Sequence, residues 1–190
     1  MEPVLPAEAK FTRSLENRGT ENEGLIFLQR EPRIQVVTTE IKRLILEELE
    51  LEGPFGPQTF DAVMTPEPAM PITAETISDH ASDLVLLEMK TTKKSIKNEL
   101  LNGFFFGATE REYELAIVLG DRYRFAFVVL NTSNDYGQFF AVLLPLREVA
   151  RRTRAKRVQY QVNFRSDMVD LPDLRLGTLL RPATLEGPEA

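Results

Sequence analysis

The chain contains no cysteine. Disulfides, thiolate zinc sites, iron–sulfur clusters and a cysteine nucleophile are therefore excluded. It contains one histidine, His80, so any mechanism that needs a histidine pair is excluded, and a Ser-His-Asp triad would have to use His80. His80 itself reads as a turn or surface residue. Long apolar runs are lacking as well. The longest, such as Phe125 to Leu130, are strand-sized and fall short of the ~18 residues a membrane helix needs, so no membrane association is expected. The N-terminus is acidic and polar rather than shaped like a secretory signal, and a cytoplasmic location is expected. The chemistry left to such a chain belongs to carboxylates, lysines and hydroxyls.

What is present is an ordinary globular composition. The 190 residues are 43% hydrophobic and 27% charged, enough to build one domain around a real core. The net charge of -6 hides a strong asymmetry. Residues 1–88 carry 7 Lys/Arg against 17 Asp/Glu; residues 89–165 carry 14 against 7; residues 166–190 carry 2 against 5. The acidic total argues against indiscriminate coating of nucleic acid, but not against a local basic face. The densest basic stretch holds Arg147, Arg151, Arg152, Arg154, Lys156 and Arg157. By itself it reads as a solvated helix face and a charged turn. It becomes a phosphate-binding surface if a phosphate-directed site lies elsewhere in the chain.

Pattern along the chain predicts a loose arm over 1–23, one α/β domain over 24–166 and a C-terminal extension over 167–190. Within the domain, Gly24 to Gln29 and Arg33 to Val37 read as short strands. Thr38 or Thr39 caps a helix running to about Glu50, with Ile41, Leu44, Ile45 and Leu49 on one stripe. Gly53-Pro54 and Gly56-Pro57 stop it. Thr59 to Met64 reads as a strand, Thr65 to Ala69 as a loop, Ile72 to Ser78 as a weak strand and Asp79 to Ser82 as a turn. Asp83 to Lys90 reads as a buried strand, and Lys93 to Gly103 as a basic connector. Thr109 and Glu112 have capping-box spacing and open a helix that stops at Gly120. Strands follow at Tyr123 to Leu130 and Gln138 to Leu144. A short helix begins at Pro145, and a half-exposed strand runs from Val158 to Phe164. The fold class expected is α/β, a mixed central sheet flanked by helices.

Two features carry chemistry. In Leu86-Leu87-Glu88-Met89-Lys90, strand alternation puts Glu88 and Lys90 on the same face at the end of an apolar run. A carboxylate there can hold a hard divalent cation, and the ammonium can stand beside the same substrate oxygen. The second is Asp61, an acid with apolar neighbours, costly on a strand unless paired or metal-bound.

Asp61, then Glu88-Met89-Lys90-Thr91-Thr92, then a helix with Glu110, Glu112 and Glu114 ending in Leu119-Gly120-Asp121-Arg122-Tyr123 before an apolar strand, resembles the PD-(D/E)xK nuclease superfamily. The resemblance covers roughly Thr39 to Leu130. It implies a restriction-endonuclease-like core and a Mg²⁺-dependent deoxyribonuclease, a small restriction or defence endonuclease, with Mn²⁺ as a substitute ion. Asp61, Glu88 and the Met89 backbone carbonyl would bind the metal, Lys90 would assist the attacking water, and Glu47 or Glu48 would supply a further acid. Lys93, Lys97, Arg151, Arg152, Arg154, Lys156 and Arg157 would contact DNA, and a duplex cutter of this size is expected to be a homodimer.

The pattern departs from the superfamily at Asp61, which follows Phe60 rather than proline and precedes Glu88 by 27 positions. Asp79 and Asp83 compete for its role. Glu47 and Glu48 also read as members of a solvated acidic helix face, and Glu112 as the closing residue of its capping box. The reading from another class is a catalytically silent domain of the same fold that binds nucleic acid or a protein. A third is a structural Glu88–Lys90 ion pair in an unrelated α/β protein.

Overall fold

The computed structural model describes residues 19–153. Helix α1 occupies residues 19–28. Strand β1 (Ile34–Val36) and helix α2 (Thr39–Glu48) follow, then a 3-10 turn (Pro57–Thr59) and strand β2 (Ala62–Met64). Helix α3 (Ala74–His80) runs into a second 3-10 turn (Ala81–Asp83) and strand β3 (Val85–Thr92). Helix α4 (Glu110–Leu119), strands β4 (Tyr123–Val129) and β5 (Phe140–Pro145), and helix α5 (Leu146–Arg152) complete the order.

The strands form one mixed sheet in chain order, β1-β2-β3-β4-β5. Every neighbouring pair is antiparallel except β3 and β4, which are parallel and joined across the sheet by α4. This is the mixed sheet flanked by helices that the sequence pattern leads one to expect. Side-chain alternation divides the core. Leu86, Tyr123, Phe125 and Phe127 turn to one face, against Ile45 and Leu46 of α2, Ile77 of α3, Leu115 and Leu119 of α4 and Val149 of α5. Leu87, Met89, Ala126 and Val128 turn to the other, against Leu28 of α1. Among the described residues, no helix is long and apolar enough to cross a membrane.

The caps explain where the helices begin. The Thr38 hydroxyl accepts from the Ile41 N–H and starts α2. Thr109 and Glu112 form the reciprocal capping box of α4, and Gly120 takes a positive φ of 57° at its end.

Two elements differ from the sequence expectation. Gly24 to Gln29, expected as a strand, is helical as far as Leu28, as part of α1, which also takes in residues 19–23, expected as part of a loose arm. A four-residue apolar run fits either period; here Leu25 and Leu28, one turn apart, pack on the sheet while Ile26 stays exposed. Ile72 to Ser78, expected as a strand, and Asp79 to Ser82, expected as a turn, instead supply α3 and its 3-10 extension. Thr73 and Thr76 cap one another at the helix start, so local capping overrides the strand preference of Ile72, Thr73, Thr76 and Ile77. The strand expected from Thr59 to Met64 is shorter, because Pro57–Thr59 forms a 3-10 turn and Ala62 opens β2. The strand expected at Val158 to Phe164 lies outside the described residues.

α1 reaches the sheet through Gly24. A methyl group there would sit 2.6 Å from Thr91 Cγ2 and 2.8 Å from Met89 Sδ. Methionine can move aside, but the β-branched threonine is stiff. Gly24→Ala is expected to lower the unfolding free energy by roughly 1–2 kcal/mol, because overpacking of about 1–3 kcal/mol outweighs a helix-propensity gain of up to about 1 kcal/mol. Urea denaturation reads this directly; a variant as stable as the parent contradicts the docking of α1 on β3.

Candidate active site

The site forms just before β2 begins, where β3 continues past it. The last ladder partners are Ala62 and Leu87. One step further, the register sets Asp61 opposite Glu88, on the face that also carries Val63 and Leu86. Asp61 is clamped at this point by two bonds. Its N–H donates to the Leu87 carbonyl at 2.8 Å, and its Oδ2 accepts from the Met89 N–H at 2.8 Å. The long interval between Asp61 and Glu88 is taken up by α3 and the loops around it, so it does not disturb the pairing. Among the described residues, the β2 side of β3 has no strand partner beyond Leu87, and an open cleft of about 1280 Å³ lies there. Asp61, Glu88, Met89 and Lys90 line it, together with α1 residues and the loop before α4.

Glu88 is 6% exposed. Its Oε1 accepts from Lys90 Nζ at 2.7 Å. Its Oε2 is buried with no hydrogen-bond partner among the described residues. An acceptor left in that state costs roughly 1–3 kcal/mol, more if charged. Burial, reinforced by the facing Asp61 carboxylate, pushes the Glu88 carboxyl up to about 8; the Lys90 ammonium opposes this.

Lys90 lies between two carboxylates, with Glu112 Oε2 at 3.0 Å on its other side. Burial works against its charge, but the Glu88 and Glu112 carboxylates outweigh it and raise its pKa. Glu112 closes the capping box, as its spacing predicts, since its Oε2 also accepts from the Thr109 N–H at 3.1 Å. It therefore ties the start of α4 to the cleft, a second role that spacing alone does not reveal. Tyr123, fully buried in the core, donates its hydroxyl to the Thr59 carbonyl at 2.6 Å. Burial first, then the nearby carboxylates, raise its pKa far above the ordinary value.

A residue that sequence reasoning missed, Lys42, completes the set. It lies on α2, half-buried, and donates to the Phe60 carbonyl at 2.5 Å. Burial lowers its pKa, while the charges of Asp61 and Glu88 oppose that shift. The signal was available: Lys42 stands three, four and seven positions before Ile45, Leu46 and Leu49, a lysine on the inward stripe of α2.

The other candidates fall elsewhere. Glu47 and Glu48 are exposed on α2, outside the cleft lining, so the side chain that α2 directs to the site is a lysine. Asp79, His80 and Asp83 are exposed before β3, with His80 Nδ1 3.5 Å from Asp83. Lys93 stands at the cleft and pairs with Glu23 at 3.1 Å. Lys97 is exposed outside the lining. Arg147 pairs with Asp121, Arg151 pairs with Glu148, and Arg152 donates to the Glu99 carbonyl; none of the three lines the cleft. Arg154, Lys156 and Arg157 lie outside the described residues.

Among the described residues, no three His, Asp or Glu side chains converge into a ready-made metal cage. Two facing carboxylates are nonetheless a donor set that suits Mg²⁺, which keeps several waters and takes one or two carboxylates. The unpartnered Glu88 Oε2 fits that use. Comparison with known protein families, curated proteins and solved structures yields no match for this chain.

The raised pKa has a consequence for stability. Between the ordinary carboxyl value and about 8, folded Glu88 keeps a proton that the unfolded chain has released. Its contribution to stability is thus complete at low pH and is lost as pH rises towards 8. In EDTA, the stability of the parent should fall across pH 5–8 relative to Glu88→Gln, by at most about 1.4 kcal/mol per pH unit. Parallel denaturation curves for the two proteins at each pH would count against a shifted Glu88.

Proposed function

We propose that this chain is a Mg²⁺-dependent deoxyribonuclease with a restriction-endonuclease-like core. The observation that carries the proposal is the buried Glu88 Oε2, without a partner among the described residues, on a residue that the register sets opposite Asp61, with Lys90 Nζ held beside the same carboxylate. A buried acid set opposite a half-buried one calls for a cation. Asp61, Glu88 and the Met89 carbonyl would hold it; the N–H and C=O of a strand residue project to one side, and the Met89 N–H already meets Asp61. When bound, Mg²⁺ would lower the pKa of a coordinated water and neutralise charge on phosphate oxygens.

The chain's own residues supply the rest. An ammonium has three donors, and Lys90 uses two on Glu88 and Glu112. The third is left to meet a phosphate oxygen or to orient water. A lysine whose pKa is raised remains a cation, so its role is electrostatic stabilisation rather than proton abstraction. Glu112 is a positioning residue for Lys90. Lys42 holds the backbone just before Asp61 and offsets part of the negative charge. A symmetric dimer would offer one such site to each strand of a duplex.

Plasmid and linear DNA incubated with Mg²⁺ or EDTA, beside Lys90→Ala, test the proposal. The expected outcome is cutting that requires Mg²⁺ and falls about a hundred-fold or more in the variant. Binding of DNA without cutting on any substrate would favour a catalytically silent nucleic-acid-binding domain. Cutting of equal rate in EDTA would overturn the proposal.

A further inference from the structure

The loop before α4 presents an aromatic side chain to the cleft. A turn closed by the Phe104 N–H on the Leu101 carbonyl, with Gly103 at φ +83°, starts the segment Phe104-Phe105-Phe106. The left-handed φ at Gly103 is one that other residues adopt only with strain. Phe104 and Phe106 turn inward. Their rings pack on Phe127 with centroids at 5.2 Å and 5.0 Å, and Phe106 also meets Phe125 at 6.1 Å. Phe127 is the ladder partner of Lys90. Phe105, between these two anchors, turns outward and is 80% exposed, the most exposed large apolar side chain among the described residues. It lines the same cleft as Asp61, Glu88 and Lys90, near Lys93 and Lys94.

A phenyl ring held out into water between two half-buried neighbours that pack on the core can serve as a stacking platform for a base. Lysines at the same opening suit a backbone that carries phosphates. Within an intact duplex, base faces are covered by their stacked neighbours and are costly to uncover, so a ring at the cleft favours a base that is already unpaired and unstacked. We infer that Phe105 forms a nucleobase subsite and that the preferred substrate is DNA with an unpaired nucleotide beside the scissile phosphate, such as a single strand, an overhang or a frayed end. This rests on the deoxyribonuclease reading of the cleft.

Binding separates the two ideas, because it can be read without cutting. The full chain is titrated with a fluorescein-labelled single-stranded oligodeoxynucleotide and with its blunt duplex, in EDTA and, with phosphorothioate linkages, in Mg²⁺. The parent, Phe105→Ala and Phe105→Trp are compared after their unfolding midpoints are shown to agree. Phe105→Ala should weaken single-strand binding by roughly five- to a hundred-fold and change duplex binding by less than about two-fold, and Phe105→Trp should restore the single-strand affinity. Equal loss on both substrates, or no loss on either, would overturn the nucleobase subsite and leave the nuclease reading standing. A parent that binds neither substrate in either condition would overturn both, and would make Phe105 a contact for a protein partner.

Discussion

Two carboxylates face one another across the end of the β2–β3 ladder, and the rest of the site is arranged around that repulsion. Asp61 uses one oxygen to cap the Met89 N–H, which makes it part of the sheet. Glu88 uses one oxygen on Lys90 and leaves the other buried, without a partner among the described residues. Such a site costs stability in the absence of a cation, because a buried acid must either keep its proton or lie ionised beside a like charge. A fold selected for stability alone would have no use for it. Strain of this kind is the usual mark of a functional position.

The surrounding elements contain that cost. β2 is three residues long and β3 eight, so β3 runs past its partner and its edge opens into the cleft. α1 covers one face of the sheet, where Gly24 allows it to approach Met89 and Thr91. α4 arrives on the other face with a capping carboxylate that also holds Lys90. α2 brings Lys42 to the backbone beside Asp61. Positive charge therefore stands on two sides of the acid pair, and the third side is open.

The parts of this arrangement legible in the sequence were those in which a charge breaks an apolar pattern. Glu88 and Lys90 end a run of leucines, and Asp61 interrupts an apolar segment. Thr109 and Glu112 announced their helix, and Gly120 its end, through capping chemistry that acts within a single turn. Less legible were elements whose period is ambiguous over a few residues. Leu25 to Leu28 suits a helix or a strand, and only packing on Leu87 and Met89 decides between them. α3 was hidden by its β-branched residues, although Thr73 and Thr76 carried a capping signal. Lys42 is hard to read as a site residue because a lysine on an inward stripe commonly snorkels to water, whereas Glu47 and Glu48, the acids of α2, are exposed. The density of arginine near α5 gave no information about pairing, and Asp121 and Glu148 neutralise two of those charges locally.

On the proposed reading, the Asp61–Glu88 pair receives a divalent cation. Calorimetric titration of the protein with Mg²⁺ near neutral pH, repeated in two buffers of different ionisation enthalpy, tests it most directly. Because Glu88 is pushed up to about 8, saturable binding accompanied by release of up to about one proton is expected, with both signals lost in Glu88→Gln. Absence of binding by the parent protein, or binding by Glu88→Gln of equal strength, would contradict it.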